Sequence, residues 1–290
     1  MFFQLLVAGV VLGCIYAIVA LGYSLIYRAS GLMSFMQGDI MTLGAYLGMT
    51  FYGTQGLPLP IAMLLICIIT FIFGFVMESG VIRRLVEKGV SPIYVVLATI
   101  AISYIIQNGC QAIWGAKLMA FPSLFSFSTI SMFGRSFQTE YVFGVAVSVF
   151  VMVVFQFFIR YTRFGIAMQA SASDKMAAKA CGVNVNLCTA CAWAISSFTA
   201  AIAGLIFAPI NGLLPTLGSS IGAKGFAAAV IGGYGNMYGA VLGGMILGIL
   251  EFLVSGYISS TYKNLVSFSV LILFLFIKPY GLFNARDIRR

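Results

Sequence analysis

Only 8% of the 290 residues are charged, 61% are hydrophobic and the mean hydropathy is +1.07, against roughly 25% charge in a soluble domain. Water is therefore excluded as the main solvent, and with no histidine anywhere so are Ser-His catalysis, HExxH zinc sites and axial haem histidines. A spanning helix needs about 20 apolar residues, and the chain contains such runs repeatedly, so it reads as a polytopic, all-α membrane protein.

In chain order the apolar runs fall near 2–26, 31–51, 59–79, 93–114, 140–159, 187–208, 239–257 and 264–278, which makes eight spans. The first has no basic n-region and runs unbroken past Cys14 to Ile26, so it reads as a spanning helix and not as a cleaved leader. Arg28, Arg83, Arg84, Lys88, Arg160, Arg163, Lys175, Lys179, Lys278, Arg286, Arg289 and Arg290 fall on one side of this arrangement. Lys117, Arg135, Lys224 and Lys263 fall on the other, and the bias of twelve to four places the first group, with the C-terminus, in the cytoplasm. An outside N-terminus and an inside C-terminus require an odd number of crossings. The leftover segment 222–233 supplies the parity as a re-entrant half-helix, since about 11 helical residues reach only ~16 Å. The net charge of +9 is then positive-inside bias with attraction to anionic lipid, and no nucleic-acid partner is needed.

Metal and catalytic chemistry find little support. Cys188 and Cys191 have CxxC spacing, but neither a second pair nor a histidine completes a zinc site. An aspartyl protease needs two facing carboxylates, and Asp39 has no clear partner. Gly218 to Gly225 lacks the spacing of a phosphate loop. Two acids, Asp39 and Glu251, lie inside predicted spans, where an ionised side chain is expensive. Each is either a functional group facing the interior or a hydrogen bond between helices. Two Gly-broken segments resemble each other: 31–39, containing Gln37 and Gly38, and 232–239, containing Gly232, Gly233, Gly235 and Asn236, each followed by small residues four apart. Such pairs point to inverted repeats around a midplane path, or to close helix packing through small residues.

Between the fifth and sixth spans lies TRFGIAMQASASDKMAAKACGVNV, Thr162 to Val185. Ser173 or Asp174 is placed to cap a short helix running to Cys181, with Gly182 as its left-handed terminator. The alanines Ala167, Ala170, Ala172, Ala177, Ala178 and Ala180 keep its surface thin enough for a partner's backbone to approach.

These residues resemble the permease subunits of bacterial ABC importers for branched-chain amino acids, of the LivH-like type. Thr162, Gly165, Ala167, Ala170, Asp174, Ala178 and Gly182 match that family's cytoplasmic coupling segment. The run from Phe226 to Gly244 is similar to its glycine signature, and Glu251, Tyr257 and Lys278-Pro-Tyr-Gly-Leu-Phe to its C-terminal pattern. Gln169 departs from the family's usual arginine and Asp39 from its usual glutamate. The resemblance covers nearly the whole chain and implies a single permease domain over 1–290, with 160–186 as a coupling segment, of type II importer-like architecture in a bacterial inner membrane. It implies a second permease, related or identical, two cytoplasmic ATPases carrying ATP-Mg, and an extracytoplasmic binding protein, with no cofactor in this chain. Relatives on the same framework carry urea, short amides or other amino acids. The competing expectation is an ion- or proton-coupled transporter or channel that uses Asp39 and Glu251 and needs no ATPase.

Overall fold

The protein is described by a computed structural model covering residues 2–124, 129–132 and 135–283; Arg286, Arg289 and Arg290 of the basic group lie outside the described residues. The helices, in order, are α1 (Phe2–Ser30), α2 (Gln37–Gly48), α3 (Leu59–Met77), α4 (Arg83–Glu87), α5 (Pro92–Trp114), α6 (Thr139–Tyr161), α7 (Arg163–Ser173), α8 (Lys175–Ala180), α9 (Val185–Asn211), α10 (Leu217–Gly232), α11 (Met237–Tyr257) and α12 (Lys263–Ile277). A π-helical turn at Glu78–Ile82 joins α3 to α4 in one continuous rod. Seven helical stretches are long and apolar enough to cross a membrane. A small antiparallel hairpin, Thr129–Met132 against Arg135–Gln138, lies between α5 and α6; among the described residues it is the one named sheet in an otherwise helical chain.

The second predicted span takes a distinct form. Residues 31–36 are not helical, α2 is only 12 residues long, and a π-helical turn, Met49–Thr54, completes it. Ten of those 12 residues are buried, Gln37, Asp39 and Thr42 among them. A helix buried on every side belongs to the interior of a bundle. The predicted half-helix begins five residues earlier than expected, and its 16 residues reach about 24 Å.

Small residues set this arrangement. A Cβ on Gly38 would collide with the carbonyl of Gly218, one on Gly44 with Ala201, and one on Gly204 with the carbonyl of Met41, so α2 lies in backbone contact with both α10 and α9. Gly244 and Gly248 bring α11 equally close to Ala17 and Gly13 of α1, and Gly232 meets Gly239 where α10 turns into α11. The interior is thus α1, α2, α9, α10 and α11, with α3, α5, α6 and α12 around it. One end of the bundle gathers Ser30, α7, α8 and the C-terminal turn, whose Leu282 and Phe283 N–H groups donate to the Ile231 and Gly232 carbonyls. We call this the α8 end. At the opposite end the loops bearing Met119 and Leu213 pair backbone to backbone.

Candidate functional site

At the α8 end, the Thr162 to Val185 stretch folds as two helices where the sequence suggested one. Thr162 caps the first, its hydroxyl accepting from the Gly165 N–H at 3.0 Å. Gly165 has no room for a Cβ against the Phe158 and Ile159 carbonyls, which lets α7 fold back tightly on α6. Gln169 holds it there, donating to the Ile159 carbonyl at 2.7 Å. Asp174 ends α7 and caps α8, accepting from the Met176 and Ala177 N–H groups at 2.8 and 3.1 Å. Gly182 closes α8 at φ +81°. Ala178 is buried under the short helix, while Asp174, Lys175, Ala177 and Lys179 are exposed, and Met176 stands 79% exposed. That methionine, an apolar knob on a thin alanine platform, is a feature the sequence reading did not single out. Lys175 reaches across to donate to the Ser30 carbonyl at 3.1 Å, linking this platform to the end of α1.

Within the bundle the two acids separate. Glu251 on α11 pairs with Lys224 on α10, Nζ to Oε1 at 2.7 Å. Its other oxygen accepts from the Tyr16 hydroxyl at 2.9 Å and the Ser267 hydroxyl at 3.3 Å. Lys224, counted from sequence among the charges on the outer side, is only 8% exposed inside the bundle, against 2% for Glu251. Two opposite charges in neighbouring apolar segments were the available signal, because an intramembrane charge needs a partner. The pair lines a cavity of about 470 Å³ together with Asn211, Thr216, Ser220 and Lys263.

Asp39 lies against the other face of α10. It lines a second cavity, of about 260 Å³, with Ser103, Tyr104 and Gln107 of α5 and Gly218, Ser219 and Gly222 of α10. The Ser103 hydroxyl donates to its Oδ2. Aromatic rings close this cavity toward the α8 end: Phe226 meets Phe35 at 5.1 Å, Tyr23 at 5.9 Å and Tyr234 at 5.4 Å between centroids, and Tyr234 meets Tyr27 at 4.7 Å.

The remaining path candidates lie outside both cavities. Gln37 donates to the Ser196 carbonyl at 2.5 Å, and Gly38 is consumed by the α2–α10 contact. Asn236 caps α11 through the Tyr238 and Gly239 N–H groups. Gly233 and Gly235, at φ +107° and +91°, shape the turn before it. Gly232 is packed on Gly239. Among the described residues, no three metal-binding side chains cluster.

A bundle with buried polar cavities and a folded platform at one end has the architecture of a multi-pass membrane transport protein. The profile of the family described as branched-chain amino acid transport system / permease component matches residues 5–275, and the chain belongs to that family. It is 32% identical to the high-affinity branched-chain amino acid transport system permease protein LivH of Salmonella typhimurium, covering 100% of this chain and 97% of that one. It is 30% identical to the corresponding permease protein BraD of Pseudomonas aeruginosa, covering 100% and 98%. The solved structure of PsaBC from Streptococcus pneumoniae in complex with Fab shares the fold, with a TM-score of 0.51 at 12% identity over 99% of this chain and 95% of that one.

Proposed function

We propose that this chain is the membrane-spanning permease subunit of an ATP-driven importer carrying branched-chain amino acids, or a related small amino acid or amide, into the cytoplasm. It acts as one permease domain over 1–290 in a bacterial inner membrane, with the α8 end and the C-terminus cytoplasmic. A second permease subunit completes the membrane core, two ATPases supply ATP-Mg hydrolysis, and an extracytoplasmic protein delivers substrate.

The observation that carries this reading is the α7–α8 platform, a capped surface with an exposed apolar knob tied to the transmembrane bundle through Lys175 and Ser30. Residues 160–186 are the coupling segment, with Thr162, Gly165, Ala167, Ala170, Asp174, Ala178 and Gly182 shaping it. Pressure on α8 reaches the last turn of α1, where Tyr27 contacts Tyr234. Parting those rings opens the Asp39 cavity toward the cytoplasm, a local two-state event that a distant ATPase can bias. Gln37 and Gly38 hold Asp39 in place on the path. Gly232, Gly233, Gly235 and Asn236 form the turn at its inner end, beside Tyr234. Glu251 supports the path from the far side of α10.

The ion-coupled alternative loses ground because Lys224 neutralises Glu251, leaving one intramembrane acid and not two. Leucine uptake by proteoliposomes containing the chain with its ATPases and binding protein separates the two readings. Uptake should require ATP; uptake driven by a sodium or proton gradient without ATPases overturns the assignment. Asp174→Lys removes the α8 cap and places a cation at its positive end, and Gly182→Val forces a β-branched residue to positive φ. Both variants should insert normally yet lose the ATPases on co-purification, and retention by both removes the coupling role.

A further inference from the structure

On the outside of the bundle, α3 and α6 both pack against α9 and leave a cleft of about 560 Å³ between them. Six phenylalanines line it: Phe71, Phe150, Phe155, Phe158, Phe164 and Phe198. Its polar content is slight, since Cys191 offers only a thiol and the Thr199 hydroxyl already donates to the Ser196 carbonyl at 2.8 Å. A buried water needs two to four polar partners, so water does not fill this space. The helices beside the cleft turn apolar side chains outward, with Ile68, Ile72, Val153 and Phe157 all exposed. Exposed amides stand on a different helix, at Asn108 and Gln111 of α5, where contact with lipid is expensive and a protein partner would relieve them. The cleft therefore faces lipid and not the second permease.

Its length and its basic end identify the occupant. Along α9 the cleft runs from Cys191 to Ile202, about 16 Å at ~1.5 Å per residue, which matches one leaflet of a hydrocarbon core ~30 Å thick. At the α8 end its lining finishes on Phe164, in the first turn of α7 directly after Arg163. Arg160 lies there over the Tyr161 ring, 5.7 Å from its centroid, one turn beyond Phe158. Both arginines are exposed, and among the described residues neither pairs with a carboxylate. The acid on the α3 side, Glu78, is already neutralised by Arg83 at 2.5 Å. Basic pockets between spanning helices on the cytoplasmic side suit anionic headgroups. We propose that the cleft binds an anionic phospholipid of the cytoplasmic leaflet, with one acyl chain against the phenylalanines and the phosphate at Arg160 and Arg163. The inference goes beyond the permease reading and takes from it only the cytoplasmic placement of the α8 end. A chain seated there touches Phe164, so the leaflet itself becomes a contact of the coupling segment.

Native mass spectrometry of the complete complex in detergent reads the bound lipid directly. Phosphatidylglycerol should bind at least about tenfold more tightly than phosphatidylethanolamine, whose ammonium group offsets its own phosphate; two arginines facing a net negative headgroup suffice for that difference. The double variant Arg160→Gln/Arg163→Gln should erase the preference. Val154→Trp, which places an indole in the cleft from a position 48% exposed, should remove the bound lipid while the chain still inserts and co-purifies with the ATPases. Equal affinities in the wild type, a preference that survives the loss of both arginines, or a Val154→Trp complex that keeps its lipid overturns the site. A bifunctional thiol reagent that joins the Val154→Cys variant, but not the wild type, to the second permease overturns it too, because protein then covers the cleft. Selective lipid binding by a complex that shows no ATP-driven leucine uptake would leave the site standing and overturn the permease reading instead.

Discussion

Lys224→Met should destabilise the folded chain by about 3–5 kcal/mol, because it leaves Glu251 ionised and unpaired in the bundle. The carboxylate keeps only the Tyr16 and Ser267 hydroxyls, which cannot balance its charge. Glu251→Leu should cost a similar amount from the other side, by stranding the ammonium group. The double variant Lys224→Met/Glu251→Leu should recover most of the loss, since replacing a whole buried pair with apolar groups of similar size is often neutral. Thermal unfolding of the detergent-purified proteins reads this as strong non-additivity. Additive losses, or a Lys224→Met protein as stable as the wild type, would show that the pair carries little of the fold. Reduced transport in Glu251→Leu alone therefore reports a lost ion pair before it reports a lost path residue.

Gly38→Ala and Gly218→Ala form the second large effect. At both positions the new methyl would point into the facing backbone of the α2–α10 crossing, with the Gly222 Cα 2.7 Å from a Cβ at Gly38. Backbone cannot move aside as a side chain does, so the helices must separate. We expect a loss of about 3 kcal/mol from each, at the upper end of overpacking costs. Gly109→Ala on α5 provides the control: nothing lies within 4 Å of its Cβ, and alanine is the better helix former. That variant should melt at or slightly above the wild-type temperature. Equal melting temperatures for all three would mean the crossing tolerates expansion.

Much of this architecture was legible in the sequence because membrane spans are read from long apolar runs, and seven such runs are long helices here. The paired Gly-broken segments were legible too, although their glycines serve mainly as helix crossings and turns. Asp174 and Gly182 could be placed because caps follow local chemistry. α7 was missed because its starting signal, Thr162 followed by Gly165, is a single hydroxyl three residues before a weak helix former. The Lys224–Glu251 pair was missed for a different reason. Its partners are 27 residues apart, and the run holding Lys224 is short and rich in small residues, which made it read as a re-entrant half-helix with Lys224 among the outer charges. The separation of Asp39 from Glu251 by α10 is a tertiary fact with no local signal.

The burial of α2 also has a consequence for the order of synthesis. Gly44 and Met41 pack on Ala201 and Gly204 of α9, and Gly38 packs on Gly218 and Gly222 of α10, so α2 leaves the ribosome more than 150 residues before these two partners on α9 and α10 exist. At roughly 5–20 residues per second the wait is on the order of ten seconds or longer. Throughout it, a short segment bearing Gln37, Asp39 and Thr42 lacks the α9 and α10 faces that enclose it in the finished bundle. Biogenesis of this chain therefore depends on shelter for α2, at the insertion machinery or the membrane surface, until the second half of the molecule arrives to enclose it.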